Sequence, residues 1–526
     1  MTKVAKGKRK RAYRPKTTSG CSTCKVRRVK CDETQPSCLR CSSTGRTCDG
    51  YSSAQSSNSN RSREATLAIV QTLSHDAESC AQSRRSLAFF AQQTCQQLAG
   101  FFGSLFWERL VLQAAHREPA LRYALVAIGS LHEQITLESD HPKTFALKQY
   151  SLAIKCLLTP LSQHGKRAVD VCLIASILFT CFEGMQGRHK EANSHIRSGS
   201  RLLQETVYDK GSGLLHHPVL GSQSHGDCYV PVETLANFFA VMDQSVAPAS
   251  PGYSHKAYAM LVNDVARGET SLSFTSLGEA RSLFDYGFHL LRHGNHLPAP
   301  SGTEQSSYAV QQHFSYMETL LTSFSDAFGR FIISRCQSLT PQEHLAVAVM
   351  KLHLLYTSVA LRLEQMPPTN RPHGDELLPQ MKKMVDLGEV IISSISTSAA
   401  PENSVPSYCL EMGIVIPLYT VASLCQEPSV RRRAIALLRS TSRREGLWNS
   451  KTLAAAAERI MEIEERQGAR LTSFSDEDVD DGWNWCSKGP FPRMLHLDAT
   501  GGRLHYLLYA QGSTNPTKVV ERIFEW

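Results

Sequence analysis

Residues 20–51 read GCSTCKVRRVKCDETQPSCLRCSSTGRTCDGY and contain six cysteines at regular intervals. Two, six, six, two and six residues separate these cysteines in turn, so the unit Cys-x2-Cys-x6-Cys occurs twice. The six positions are Cys21, Cys24, Cys31, Cys38, Cys41 and Cys48. This spacing indicates one site that is built from all six thiols together.

Zinc binding explains the six thiols better than three other uses of cysteine. Disulfides need an oxidising compartment, and the first 16 residues are basic and lack the apolar core of a signal peptide. A redox Cys-x-x-Cys motif needs one pair, and iron–sulfur clusters use other spacings. We therefore predict that the thiolates bind zinc.

The number of thiolates predicts two zinc ions in the site. A tetrahedral zinc takes four ligands, so six thiolates cannot all serve a single ion. Two ions need eight ligand positions, which six sulfurs fill if two of them bridge both metals, and the repeat suggests one bridging cysteine in each copy. Because four thiolates leave no position for a water molecule, we expect the zinc to be structural rather than catalytic.

The two copies of the repeat differ in charge. The six residues after Cys24 read KVRRVK and hold four cations, whereas the six after Cys41 read SSTGRT and hold one. On a short helix, Val26 and Val29 fall three residues apart and pack inward, which leaves the cations on the other faces. We predict that this first helix enters the major groove of DNA while the second copy supports it.

The cysteine spacing, the four cations and Pro36 together resemble the zinc binuclear cluster of fungal transcription factors. The resemblance implies that Cys21 and Cys38 are the bridging ligands. It also implies a CGG-type half-site that Arg28 reads from the end of the first helix. The remaining cations are implied to hold phosphates, which fix the register but carry no sequence information. They are Lys25, Arg27 and Lys30.

Function and compartment follow from the same resemblance. It implies a sequence-specific regulator of RNA polymerase II transcription, with double-stranded DNA and the transcription machinery or co-regulators as partners. The net charge of +9 is concentrated at the start of the chain, where residues 1–50 hold 14 Lys and Arg against 3 Asp and Glu. Within the basic arm 1–19, the run Lys8, Arg9, Lys10 and Arg11 predicts a nuclear import signal or an arm on DNA phosphates.

The rest of the chain predicts a mainly α fold in which the cysteine module, with two short helices, precedes a large domain of helical pairs. We divide the chain into the arm, the zinc module 20–51, a linker 52–85, an all-helical regulatory domain 86–470, and an acidic segment with a C-terminal helix, 471–526. The stretch SLAFFAQQTCQQLAGFFGSLFWERLVLQAAHREPALRYALVAIGSLHE, which starts at Ser86, resembles the start of the helical regulatory domain of fungal zinc-cluster factors.

Hydrophobic periodicity predicts the helices of that domain, the first of which ends before Pro119. The further predicted helices include 144–158, 167–182, 188–206, 231–245, 276–293, 304–335, 341–365, 375–396, 407–425, 428–442 and 451–467. Pro417 is expected to kink one of them. Residues 208–228, rich in Gly, Ser and His, are predicted to be a loop, and Val519–Trp526 to be a last helix.

Two segments bear on partners. Leu67, Val70, Leu73 and Ala77 give little more than one heptad-like repeat, too short for a coiled coil, so monomer and homodimer both stay open. Residues 473–485, SFSDEDVDDGWNW, place five acids among aromatic residues. We interpret this segment as a solvated acidic loop, with an activation surface as the alternative.

Several function classes are not supported by the sequence. We find no phosphate-binding glycine loop and no nucleophile elbow, so we predict no enzyme. The longest nearly apolar run is too short to span a bilayer, and we predict no membrane partner. We interpret four histidines as solvated loop residues rather than a second metal site. They are His216, His217, His225 and His255. The main alternative is a nuclear interaction protein whose zinc module binds protein or RNA.

Overall fold

The structure is a computed structural model, and the chain divides into two compact units, Met1–Ala65 and Thr66–Trp526. In the smaller unit it describes residues 23–24, 29, 31–32, 34, 38–44 and 48. In the larger unit it describes residues 80–137, 144–158, 168–209, 211–242, 264–265, 267–268, 270–292, 303–365, 376–397, 408–446, 448–467, 495–498, 501–508 and 517–525. The basic run 8–11, the heptad-like residues 67–77 and the acidic segment 473–485 lie outside these residues.

The larger unit is built from helices, as the periodicity predicts. Those of its first half are Ala81–Phe89, Cys95–Leu98, Val111–Arg117, Pro119–Thr136, Thr144–Leu158, Val169–Met185, His189–Glu205 and Val232–Met242, with π-helical turns at Phe90–Thr94 and Phe106–Leu110. Those of its second half are Leu277–Arg292, Thr303–Arg335, Pro341–Gln365, Leu378–Thr397, Val415–Leu424, Pro428–Ser440 and Ser450–Gln467. The mainly α prediction is therefore confirmed.

The first hydrophobic core surrounds the helix Val169–Met185. Every residue of this helix is buried except Cys172 and Ser176, because it is apolar on nearly all faces and is covered by its neighbours. Pro119–Thr136 packs against it and also against the helix that begins at Ala81. At that second crossing a Cβ on Gly129 would lie 2.1 Å from the carbonyl oxygen of Ser86, so only glycine permits the approach.

Two further cores lie in the second half of the larger unit. All ten residues of Val415–Leu424 are buried, and this helix forms the centre of one of them. The other core is rich in phenylalanine and joins Leu277–Arg292, Thr303–Arg335 and Pro341–Gln365. Pro417 lies in the first turn of its helix, where a missing N–H leaves no hydrogen bond unmade, so the predicted kink is wrong.

A buried carboxylate caps the central helix Val415–Leu424. The side chain of Glu445 accepts backbone N–H groups from Gly413 at 2.9 Å, Ile414 at 3.0 Å and Val415 at 2.9 Å. These groups have no partner within the helix, and the positive end of the helix dipole favours a negative charge there. Arg443 completes the arrangement, since its Nε donates to Glu445 at 3.0 Å.

The loop predicted over 208–228 is a three-stranded antiparallel sheet. Its strands are Val207–Asp209, Leu214–His217 and Gly221–Ser224, and a 3₁₀ turn follows at His225–Asp227. Leu215 and His217 are buried while their neighbours Leu214 and His216 are exposed, which is the two-residue period of a strand. The Gly and Ser content reflects the turns, where Gly213 and Gly221 take φ values of 68° and 88°.

The predicted C-terminal helix is also wrong. Residues Leu495–Asp498, Gly501–Leu508 and Thr517–Glu525 form an antiparallel sheet in that order. The apolar pairs at 519–520 and 523–524 fit a helical period, but β-branched and aromatic residues also favour strands. The neighbouring strand Gly501–Leu508 supplies a partner for the whole length of this segment, and pairing decides the outcome.

One described helix is long and apolar enough to cross a membrane. The stretch Pro341–Leu363 has 23 residues, and 61% of its most apolar 18-residue segment is buried. Most of its buried residues belong to two of the hydrophobic cores, as expected for a core helix.

Candidate metal centre and DNA-binding module

Five of the six cysteines of the repeat belong to the described residues, and they gather in one small core. Cys24, Cys31, Cys38 and Cys41 are buried, and Cys48 is half-buried beside them. The side chain of Val29 packs on this cluster, as predicted for that residue, while Val26 lies outside the described residues. The smaller unit therefore has a core of thiols where an ordinary domain has a core of hydrocarbon.

The distances between the sulfur atoms fit a tetrahedral zinc site. The Sγ of Cys24 lies 3.7 Å from that of Cys38 and 3.8 Å from that of Cys41. Zinc–thiolate bonds of about 2.3 Å in a tetrahedron place neighbouring sulfurs about 3.8 Å apart. Cys24 thus already lies at the separation from the other two thiols that a shared zinc requires.

Cys38 belongs to two groups of metal-binding atoms. Its Sγ lies within 4.8 Å of those of Cys24 and Cys41, and also within 4.8 Å of the Cys31 thiol and the Asp32 carboxylate. The two groups share only this sulfur. The Cys38 thiol of the second copy therefore lies close to both groups of metal-binding atoms.

Backbone N–H groups donate to two sulfurs of the second copy. Cys38 precedes the helix Leu39–Ser42 and caps it, because its Sγ accepts the N–H of Cys41 at 3.3 Å. The N–H of Cys38 in turn donates to the Sγ of Cys48 at 3.5 Å. Such donors stabilise a thiolate over a thiol and fix its direction, which suits metal ligands.

Asp32 contributes contacts to this module that the sequence pattern did not predict. Its carboxylate accepts the backbone N–H groups of Leu39 and Arg40, both at 2.9 Å, and the hydroxyl of Thr34 at 2.5 Å. The hydrogen bond from Thr34 holds the pKa of Asp32 well below its ordinary value, and the backbone donors add to this. With its oxygens engaged in this way, Asp32 ties the end of the first copy to the helix of the second.

The remaining predicted residues of the module lie outside the described residues. They are Cys21, Lys25, Arg27, Arg28, Lys30 and Pro36. The structure therefore describes the thiol core and its support, and the assignment of DNA contacts stays a prediction from the sequence.

The histidines of residues 207–233 each have partners of their own. His216 contacts the Ser222 hydroxyl at 3.0 Å, and His225 contacts Glu233 at 3.1 Å. His217 lies 3.3 Å from Glu205. His255 lies outside the described residues, and no described group of metal-binding atoms includes a histidine.

Comparison with known proteins gives two family matches that agree with this geometry. Residues 19–58 match the fungal Zn(2)-Cys(6) binuclear cluster domain, and residues 85–463 match the fungal specific transcription factor domain. The second match covers more than half of the chain. The first match implies zinc binding by the module.

Several relatives found by sequence are named as transcription regulators. The aspercryptin biosynthesis cluster-specific transcription regulator atnN of Emericella nidulans is 24% identical, over 83% of this chain and 85% of its own length. The transcription regulator lscL of Purpureocillium lilacinum is 27% identical, over 34% of this chain and 48% of its own. The transcriptional regulatory protein moc3 of Schizosaccharomyces pombe is 58% identical over 36 residues, 7% of each chain.

No solved structure matches the chain. The thiol core, the helical body and the two family matches nevertheless agree with one another and with the resemblance noted in the sequence. The chain belongs to the fungal transcription regulators that join a Zn(2)-Cys(6) binuclear cluster domain to a fungal specific transcription factor domain.

Proposed function

We propose that this protein is a nuclear, sequence-specific DNA-binding regulator of RNA polymerase II transcription. The module 20–51 reads a CGG-type half-site in the major groove of double-stranded DNA. The helical domain 86–470 contacts the transcription machinery or co-regulators, and the protein acts as a monomer or a homodimer. The basic run Lys8–Arg11 directs it to the nucleus.

The position of Cys38 is the observation that carries this proposal. A sulfur within 4.8 Å of two sets of metal-binding atoms supports a cluster of two zinc ions in which that thiolate is shared. The proposed ligands are Cys21, Cys24, Cys31, Cys38, Cys41 and Cys48, with Cys21 and Cys38 bridging. Zinc bound there would cross-link the two copies of the repeat and supply folding free energy to a module with little hydrocarbon core.

DNA reading is assigned to the cationic helix of the first copy. Arg28 donates two hydrogen bonds to the O6 and N7 atoms of guanine, while Lys25, Arg27 and Lys30 hold phosphates. The second copy supports this helix through the shared thiolate and through Asp32. The two N–H bonds that Asp32 accepts at 2.9 Å limit rotation of one copy against the other, and this helps to aim the reading helix.

We base a proposal for the target genes on atnN, which has the longest match to this chain among the relatives described above. The name of atnN assigns it to an aspercryptin biosynthesis cluster, and the match spans 83% of this chain. We infer that this protein also regulates a gene cluster for a secondary metabolite.

The test is selection from a library of random duplexes by the full-length chain with zinc bound. Enrichment of sequences that contain CGG is the expected result, and treatment with a zinc chelator before selection should abolish it. Absence of any duplex preference would contradict the proposal. If instead the module retained RNA or a protein partner and no duplex, the interaction-protein alternative would replace it.

A further inference from the structure

A cavity of 290 Å³ lies inside the larger unit, at a place where four stretches of chain meet. These are the residues from Phe102 to Leu110, the helices Val232–Met242 and Leu277–Arg292, and the pair Leu410–Glu411. The volume is close to the lower end, about 300 Å³, of sites that hold small organic molecules. Apolar side chains line most of it, and three charged groups meet on one side. The charged groups are Arg281, Asp285 and Glu411.

Arg281 already has partners for each of its three nitrogen atoms. Its Nε donates to Asp285 at 2.7 Å and one terminal nitrogen contacts the Nδ1 of His353 at 2.9 Å. The other terminal nitrogen donates to the carbonyl of Met412 at 3.4 Å, and the ring of Phe102 covers the guanidinium at 4.8 Å. Arg281 therefore offers little to an anion in the cavity.

Glu411 is the charged group without a hydrogen-bond donor among the described residues. The charges of Arg281 and Asp285 act on its carboxyl group. The Glu411 carboxyl group and the Arg281 guanidinium are nevertheless too far apart to form an ion pair, and Arg281 pairs with Asp285 instead. Burial raises the pKa of Glu411 to about 7, Arg281 opposes this rise and Asp285 adds to it. A partly buried carboxylate without a hydrogen-bond donor is stabilised most by a ligand that carries a positive charge.

We propose that this cavity binds a small organic cation, a molecule with an apolar body and a protonated amine, and that Glu411 pairs with the amine. The apolar body would contact the side chains of Phe106, Phe238 and Met242. This site is independent of the zinc module and of the DNA that the module reads, so it adds a small-molecule input to the regulatory domain.

The charges around the cavity select an amine over an acid. Arg281 and Asp285 cancel each other, and the Glu411 carboxylate is left as the uncompensated charge. His353 stays neutral, because burial and the nearby Arg281 lower its pKa to about 3. A ligand carboxylate would therefore meet a net negative charge and an arginine whose donors are occupied.

The experiment uses three probes that share one body and differ at one end. They are 4-phenylbutylamine, 4-phenylbutan-1-ol and 4-phenylbutanoic acid, titrated calorimetrically into the full-length protein at pH 8. The amine should bind about tenfold more tightly than the alcohol, the ratio expected for one charge-assisted hydrogen bond, and the acid should bind most weakly.

Two substitutions test the site from different sides. Glu411→Gln keeps the size of the side chain and removes its charge, so the amine and the alcohol should bind within about threefold of each other. Gly278 lines the cavity and is exposed, and a Cβ added there meets no atom within 4 Å, so Gly278→Leu should place a side chain at the mouth of the cavity and weaken all three probes. Glu462→Gln makes the same chemical change at an exposed position outside the cavity and should leave the three affinities unchanged.

Three results would overturn the proposal. They are equal binding of the acid and the amine, an unchanged preference for the amine in Glu411→Gln, and failure of every probe to bind the native protein. Weaker binding of all three probes to Gly278→Leu, with unchanged zinc content, would show that the probes bind in this cavity and would support the proposal.

Discussion

Arg28 and Lys25 carry the same charge on one face of the predicted reading helix, and they test different parts of the DNA-binding proposal. Loss of the bidentate pair between Arg28 and guanine should cost about 1–3 kcal/mol and relax the preference at one base. Loss of a phosphate contact at Lys25 should weaken all sequences about equally and reduce the salt slope by about 1.

The measurement is binding of Arg28→Ala and Lys25→Ala to a CGG duplex and to a duplex with a mutated triplet, at several salt concentrations. Arg28→Ala should flatten the ratio between the duplexes, and Lys25→Ala should keep it. The reverse pattern would show that the roles assigned from the family are exchanged in this chain.

The stability of the larger unit should depend on pH through Glu411. Between its ordinary pKa of 4.5 and its folded value of about 7, the folded chain keeps a proton that the unfolded chain has released. The contribution of Glu411 to stability is therefore lost as the pH rises through this window. Relative to the native chain, Glu411→Gln should gain stability from pH 5 to pH 8, by up to about 3 kcal/mol.

Denaturant unfolding of both proteins at the two pH values measures this gain. His132, His189 and His353 have lowered pKa values, so their contribution is lost on acidification, in the opposite direction. They are present in both proteins, and their contribution cancels in the comparison. A stability difference that stays constant with pH would show that Glu411 has an ordinary pKa.

The carboxylate cap on the helix Val415–Leu424 should contribute strongly to the stability of the larger unit. Glu445→Ala leaves three N–H groups and the buried Arg443 without their acceptor, so the free energy of unfolding should fall by about 3–5 kcal/mol. The control is Glu465→Ala, which removes a carboxylate that pairs with Arg432 at 2.7 Å on the surface. The control should cost at most about 1 kcal/mol. Similar losses in both variants would refute the role of the cap.

The elements also show how far the sequence could predict this structure. The periodicity predicted helices at 144–158 and 341–365, and the structure has them at Thr144–Leu158 and Pro341–Gln365, because long amphipathic repeats leave few alternatives. The segment Thr517–Glu525 fits the helical period and also has residues that favour strands. Its strand forms because it pairs with Gly501–Leu508, and a local sequence pattern cannot show that pairing. The Glu445 cap joins residues 30 to 32 positions apart, a distance at which sequence patterns carry no signal.

The metal site shows the same limit within one short module. Regular spacing made the cysteines recognisable, because zinc geometry demands several ligands within a few residues. The sequence did not predict the role of Asp32, because a helix cap is expected directly before the helix, and Cys38 occupies that position. Asp32 instead accepts the N–H of Leu39 from seven residues earlier in the chain. The pair Asp32 and Thr34 directly after Cys31 is the local signal that would have pointed to it.

The two compact units should respond differently to a chelator. Removal of zinc should unfold the module, because its core is made of thiols, and duplex binding should be lost. The far-ultraviolet circular dichroism of the helical domain should persist, because its three cores contain no metal-binding group among the described residues. Melting of the whole chain on chelation would show that the two units depend on each other.

A two-zinc cluster in which Cys38 is shared underlies every proposal on DNA binding. The most direct measurement is the zinc content of the full-length protein by native mass spectrometry, for the native chain and for Cys38→Ala, with Cys336→Ala as a control at an exposed cysteine outside the module. We expect two zinc ions in the native protein and in the control, and one or none in Cys38→Ala. One zinc in the native protein, or two retained in Cys38→Ala, would contradict the shared thiolate.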